Sequence, residues 1–501
     1  MLRLPSLFTD GVVLCRRKEI RIFGEATEGC EIRVRLLDWH GKLIDCGYGK
    51  TRNGRFMVFL RPQEARIQCR LTIETGMETR TIEDVCIGEV FLAGGQSNME
   101  LPLSGADGGL ELIRSHWDPL LRFYNVPKRA YACEEQRKAL EDTRWEFIAR
   151  GEGAGNSAVA YFFARRLREA QPDLPVGIIG CYWGGTSITC WLEEETLRSL
   201  AEGARYLDDY ARASAGKTME TYLAEEKVFL DAMDAWNRSV NVYRSDNPGA
   251  PWKEIEEACG ICPWNPPIGP GAPYRPAGLA ETMLHAVAPM TLTGILYYQG
   301  EEDTGKTDRY DELMLLLIRR WRQLFRDPEL PFLFVQLPMW LDTGAKDTFL
   351  WPKLRLAQAA ARDAARNTGM ICLLDQGEYG NIHPTAKKPV GDRLYELAAN
   401  MLYGGGKVSP RAVSRECGGG MITVRLSAPV TTRDGNMPRL MEIAGEDGVF
   451  HSAECGIGEC ELRIHSRAVE YPMSVRYAWT DWSDQVNCFG LNGLPLEPFW
   501  L

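Results

Sequence analysis

Four places along the chain carry residue types that acyl transfer requires: Ser97, the Gly184-Gly185 pair, Gln299 and His383. A serine hydrolase needs a hydroxyl to attack the ester carbon, a base to take its proton, and N–H donors for the oxyanion. Ser97 would supply the hydroxyl and His383, in Asn381-Ile-His-Pro384, the base. The donors would be the Ser97 backbone N–H, the Gly185 N–H and the Gln299 side-chain amide. Each has a plainer reading when taken alone. Ser97 could cap the segment that follows it, a Gly-Gly pair is commonly a turn, and a Gln after a strand is commonly solvated. Their arrival at successive strand ends is what points to a site, because parallel strands bring their carboxyl ends to one edge. The other histidines are worse placed. His40, His451 and His465 fall in β-rich ends, His116 in a charged loop, and His285 in an apolar helix that suits a core role.

The elements that must position these residues can be read from periodicity. Val90-Phe91-Leu92-Ala93 suits the middle of a parallel sheet, and Gly94-Gly95 lets the chain turn sharply before Ser97. Residues 1–85 contain short β-like runs (Ile20 to Phe23, Glu31 to Leu36, Arg55 to Leu60, Arg70 to Glu74) and read as a small β-sandwich. Residues 86–406 alternate strands and helices. Strands are expected at Val176 to Cys181, Ile295 to Tyr298, Phe332 to Leu337 and Met370 to Leu374. Helices are expected after Asn156-Ser157, over Tyr310 to Phe325 and near Leu354 to Arg366. The segment from about 192 to 275 has weak periodicity and a Pro-, Trp- and Gly-rich end, so it reads as an insertion that forms a lid or site wall. Residues 407–501 are β-like again. The expected architecture is α/β: a flavodoxin-like parallel sheet with helices on both faces, flanked by N- and C-terminal β-rich domains.

Composition narrows the partners. The 501 residues carry a formal net charge of -10, which argues against nucleic acid. No apolar run is long enough to cross a bilayer. The N-terminus, broken at Pro5, lacks the pattern of a secretory signal, so the expectation is a cytoplasmic enzyme or a leader missing from this chain. The fifteen scattered cysteines read as reduced thiols. Only Cys259 and Cys262 have C-x-x-C spacing, and two ligands fall short of a zinc site. Neither metal nor cofactor is expected.

Several segments also carry a resemblance. Gly95-Gln-Ser-Asn-Met99, Ser157-Ala-Val-Ala-Tyr-Phe162, Trp183-Gly-Gly-Thr186, Tyr298-Gln-Gly-Glu301 and Ile382-His-Pro-Thr-Ala-Lys387 occur in order. Together with Leu4-Pro-Ser-Leu-Phe8 and Val475-Arg-Tyr-Ala-Trp479 near the ends, they resemble the sialate O-acetylesterase family, a branch of the SGNH-type esterases. The resemblance implies an SGNH-hydrolase-like fold and a cofactor-independent acetyl esterase. In it Ser97 is the nucleophile, His383 the base, and Ser97, Gly185 and Gln299 form the oxyanion hole. Gln96, Asn98, Trp183 and Glu301 are also expected among the substrate-binding residues. One departure concerns the third triad member. SGNH esterases commonly have Asp three residues before the histidine, where this chain has Gly380; many family members have Asp immediately before the Ile-His-Pro, where this chain has Asn381. Glu378 is taken as the triad acid, with Asp375 or no carboxylate as alternatives.

The expected substrate is an O-acetylated sugar. A sialic acid carboxylate would want an Arg, for which Arg275 is the candidate. Acetylated xylan, xyloglucan or mannan fragments would not need that contact. Two further readings stay open: a glycan-binding protein that has lost catalysis with the usual Asp, and a zinc hydrolase built on Cys259 and Cys262.

Overall fold

A computed structural model describes residues 1–247 and 249–501, apart from the side chain of Gln136. At its centre, in chain order, are strands β1 (Thr79–Gly95), β2 (Asp118–Asn125), β3 (Glu146–Ile148), β4 (Val176–Tyr182), β5 (Gly294–Tyr298), β6 (Phe332–Val335) and β7 (Thr368–Ile371). They lie side by side as β7-β6-β5-β1-β4-β2-β3. Neighbours are parallel except β2 and β3, so the central sheet is mixed rather than wholly parallel. With the edge pair β2 and β3 set aside, the order is the doubly wound 2-1-3-4-5. Crevices in such sheets open beyond the strand carboxyl ends, beside the first strand. That strand is β1, which leads to Ser97.

β1 spans 17 residues and joins two layers. Its first half pairs antiparallel with Arg66–Glu74, and its second half pairs parallel with β4 and β5. It therefore runs through residue 85, where the N-terminal domain was expected to end, and one apolar core continues from Ile22 and Val58 to Phe91 and Leu296.

Alternation along β1 puts successive side chains on opposite faces. Phe91 packs edge-on against Phe163 of helix α1 (Ala158–Ala170), with ring centroids 4.8 Å apart. Three residues on, a Cβ at Gly94 would lie 2.8 Å from the Trp321 ring of helix α2 (Tyr310–Leu324), on the other face. Helices α3 (Leu350–Ala364) and α4 (Lys388–Leu402) complete the layers. Ser157 starts α1 by accepting from the Ala160 N–H at 3.1 Å, as its position before the apolar stripe predicts.

The insertion is helical for most of its length. Its longest helix, Met219–Asp246, begins in a capping box between Thr218 and Thr221 and buries only Tyr222 and Val240. The C-terminal region forms two four-stranded antiparallel sheets and a two-stranded one, and its apolar cluster reaches Met339, Cys372 and Leu374 of the central layer.

Candidate active site

The carboxyl end of β1 turns at Gly95, whose φ of 132° and a Cβ position 2.0 Å from the Tyr298 carbonyl leave room for no other residue. Ser97 then opens the four-residue helix Ser97–Glu100. Its Oγ lies 2.8 Å from Nε2 of His383, although 286 residues separate the two. The sequence-predicted hydroxyl and base are therefore in hydrogen-bond contact. Ser97 is half-buried and His383 exposed, so both can be reached from solvent. The protein packed behind the imidazole, helped by the Lys387 ammonium, disfavours the charged form and lowers its pKa to about 4.

Among the described residues, the backbone N–H groups of Ser97 and Gly185 have no protein acceptor. Gly184 is held by its own N–H, which donates to Glu100 Oε2 at 2.6 Å, and a Cβ on Gly184 would lie 3.2 Å from that of Ser97. Gly185 has φ 70°, and a Cβ there would strike Trp264 at 2.3 Å and approach Tyr274 at 3.2 Å. Both aromatics belong to the insertion or its exit, which thus walls the site as expected. Trp183 is half-buried beside this loop, with the Lys128 ammonium 5.2 Å from its ring centre.

Gln299 is not free to serve as an oxyanion donor. It is 1% exposed, and its Nε2 already faces Gln96 Oε1 (3.1 Å), the Thr186 carbonyl (3.2 Å) and Asp303 Oδ2 (2.5 Å). Its Oε1 accepts from Tyr310 at 2.7 Å. An amide has two N–H groups, so nothing remains for a ligand. Its place is structural, tying the ends of β1 and β5 to the Thr186 turn.

The same correction applies to three expected substrate contacts. Gln96 is buried and accepts from the Gly300 and Glu302 N–H groups as well as from Gln299. Asn98 is fully buried; it donates to Glu301 Oε1 at 2.6 Å and to the Ile382 carbonyl at 3.0 Å, and accepts from Lys387 Nζ. Glu301 is buried, and its Oε2 has no partner among the described residues. Burial raises its pKa, partly offset by Asn98 and Lys387. Arg275 is turned away too, donating to the Ala130 carbonyl at 3.3 Å with its Nε buried.

The triad acid is the main difference. Among the described hydrogen bonds, none joins Glu378 to the His383 ring. Its Oε2 accepts from Asn381 Nδ2 at 2.7 Å, and Asn381 Oδ1 accepts from the His383 backbone N–H at 3.0 Å. Asp375 is occupied by both guanidinium nitrogens of Arg393, at 2.7 and 2.8 Å. The usual Asp position, Gly380, has φ 74°, and a Cβ there would lie 2.4 Å from Thr343 Oγ1. This loop cannot present an Asp from residue 380 without moving. No carboxylate meets the imidazole Nδ1 among the described hydrogen bonds. His285, expected in the core, is instead exposed and bonded to Glu193 at 2.8 Å.

Two residues that sequence reasoning passed over matter here. Lys387 is buried, with its pKa lowered to about 7 by burial against the pull of Glu301 and Glu378, and it joins Asn98 beside Ser97 to the loop of His383. Asp303 is buried and accepts from Gln299, Ser187, Ile188 and Tyr206, fixing the floor of the site. Their signals were visible as the end of the Ile382 to Lys387 segment and as the acidic run Glu301-Glu302-Asp303.

The fold and site define an α/β protein with a Ser–His pair at the switch point of its sheet. Residues 264–398 match the family of carbohydrate esterases described as sialic acid-specific acetylesterases. Over 92% of its length the chain is 24% identical to the sialate O-acetylesterase of Mus musculus, covering 86% of that protein. It is 26% identical to the Rattus norvegicus protein of that name, over 76% of this chain and 70% of the relative. Among solved structures, a carbohydrate acetylesterase from Xanthomonas citri superposes over 100% of this chain and 99% of its own, with TM-score 0.77 and 27% identity. The chain is thus similar to the sialic acid-specific carbohydrate acetylesterases, as its motifs imply.

Proposed function

We propose that the protein is a carbohydrate O-acetylesterase of SGNH type, working through an acetyl-enzyme on Ser97. The observation that carries this reading is the 2.8 Å contact between Ser97 Oγ and His383 Nε2, beside two unpaired backbone N–H groups. His383 takes the Ser97 proton as Oγ attacks the acetyl carbon, and the N–H groups of Ser97 and Gly185 receive the oxyanion. The protonated imidazole then hands its proton to the departing sugar oxygen. Water, activated by the same imidazole, releases acetate and restores Ser97. The low pKa of His383 keeps the imidazole neutral, and so able to accept a proton, well below neutral pH.

Sialate O-acetylesters are the first substrate reading, supported by the names of the curated relatives. A second reading, neutral acetylated glycans, is favoured by charge at the mouth. Glu100 sits against Gly184, and Lys128 is paired with it. Glu302, on the solvent side, is raised to about 7 by its low-dielectric surroundings and the buried Asp303. Tyr274, next to Gly185, is raised by burial and then by Glu100 and Glu302. With Arg275 committed elsewhere and Lys128 held by Glu100, neither offers a sugar carboxylate an unpaired guanidinium or ammonium at the mouth. Acetate release from O-acetylated sialic acid and from acetylated xylo-oligosaccharides, measured side by side, tests both. Release from neither, with aryl acetates also inert, would sink the esterase reading.

A further inference from the structure

Far from Ser97, a groove of about 1810 Å³ separates the N-terminal strands from the Arg137 to Arg144 segment and the Pro289 corner. β1 links the two places. Ile82, near its start, lines the groove, and Ser97 follows its end 15 residues later, roughly 50 Å along an extended strand. The groove's charge is opposite to that of the molecule. Eight basic and three acidic side chains line it, whereas the whole chain has 58 basic and 68 acidic residues.

The basic groups are also unusual in how few of them form ion pairs, although Glu25 lies across from Arg3 and Arg55 on the strands. Arg3, Lys50, Arg52, Arg55, Arg80 and Arg326 are all exposed, and none forms an ion pair among the described residues. Arg144 donates only to the Glu141 and Thr143 carbonyls; of the groove's basic residues Arg137 alone is paired, with Glu134 and Glu141. Elsewhere the arginines mostly have partners, as at Arg16 with Glu89 or Arg393 with Asp375. Like charges collected in a concave surface repel one another, and the low-dielectric walls focus their field outward. An anion entering the groove relieves that repulsion.

The floor narrows the kind of anion. Phe56 and Phe23 are buried beneath it, and Phe59 is 45% exposed at its edge. Of the three, only Phe59 offers an accessible apolar face; beside spaced guanidinium groups it suits sugar rings that each carry one carboxylate, since Arg forks match carboxylates. The groove is larger than the 300–1,000 Å³ or so of a usual small-molecule site, so a chain fits it better than a monomer. The -10 charge of the whole protein opposes any polyanion, and a duplex with a charge about every 1.7 Å more strongly than a chain with one carboxylate per sugar ring.

We propose that this groove binds a carboxylate-bearing polysaccharide, holding the polymer while acetyl esters farther along it reach Ser97. The binding site itself is read from charge and shape; only its coupling to turnover rests on the esterase reading. Tethering of this kind raises the local concentration of esters without a new contact at Ser97.

The test is affinity electrophoresis of the full chain in gels containing polygalacturonate, unsubstituted xylan or double-stranded DNA. Polygalacturonate is expected to retard the protein, less so as salt is raised, and xylan is not. The charge reversals Arg52→Glu and Arg55→Glu together should weaken the retardation about tenfold, while hydrolysis of an aryl acetate stays unchanged and reports an intact fold. Arg80→Ser with Arg326→Ser serves as the second variant should the first fail to fold. Absence of retardation by polygalacturonate, retardation indifferent to both variants, or equal retardation by DNA would each overturn the proposal. An inert protein toward aryl acetates that still binds polygalacturonate would instead remove the esterase reading and leave the groove.

Discussion

The two halves of the Ser97–His383 pair are held in different ways. Around Ser97, Gly95 admits no side chain, and Gln96 and Asn98 on either side are locked by buried hydrogen bonds to the β5 end and the His383 loop. His383 is gripped by its backbone, through Asn381 and then Glu378, while among the described residues no carboxylate is hydrogen-bonded to the far nitrogen of its ring. The proposed nucleophile is over-determined and the proposed base is positioned indirectly. A chain can therefore lose the usual Asp and keep the pair in contact, because the loop that carries the histidine is anchored from beneath.

That contrast can be broken from either side. Removing the proposed nucleophile gives the largest effect: Ser97→Ala should lower kcat for aryl acetates by about 10⁴-fold or more, with Asn98 and Gln96 still holding the turn. Retention of turnover would move the chemistry elsewhere. Next is Gly185→Ala. Left-handed backbone and the 2.3 Å approach to Trp264 would force the loop and its N–H aside. The expected loss is about 10²-fold in kcat, that of one oxyanion donor. An unchanged kcat would free Gly185 of that role.

A smaller effect is expected at the anchor of the base. Burial is the larger cause of the low His383 pKa and stays in Lys387→Met, but loss of an ammonium that disfavours the imidazolium should still raise that pKa from about 4. Near that limb Lys387 is charged, since its own pKa is about 7, so its full effect operates there. The acid limb of the kcat/KM profile is read for this shift. Turnover should fall about tenfold through looser positioning, with partial recovery in Lys387→Arg. Loss of turnover without any shift of the limb would make Lys387 a packing residue only.

The parts of the site that could be read in the sequence were those set by local pattern. Ser97 and His383 stood out because a strand, a glycine turn and a chemically able side chain are consecutive, and the capping Ser157 and the helix after it followed from spacing. Gln96, Asn98, Gln299 and Glu301 were misread for one reason. A polar residue at a strand end looks the same in sequence whether it faces a cleft or an interior partner. Asn98 faces inward because Glu301 and Ile382, 203 and 284 residues away, meet it there. The triad acid failed similarly: closeness in sequence put Glu378 beside His383, but the left-handed turn at Gly380 directs it to Asn381. The mixed character of the sheet rests on the short edge strand Glu146–Ile148, too brief to leave a pattern.

The central claim is that the Ser–His pair works without a carboxylate on the imidazole, and Glu378→Gln tests it most directly. Glutamine keeps an acceptor for Asn381, so kcat/KM for an aryl acetate should stay within about tenfold of the unmodified protein. A loss near 10⁴-fold, the size seen when a triad carboxylate is neutralised, would contradict the account and make Glu378 the third member of a triad.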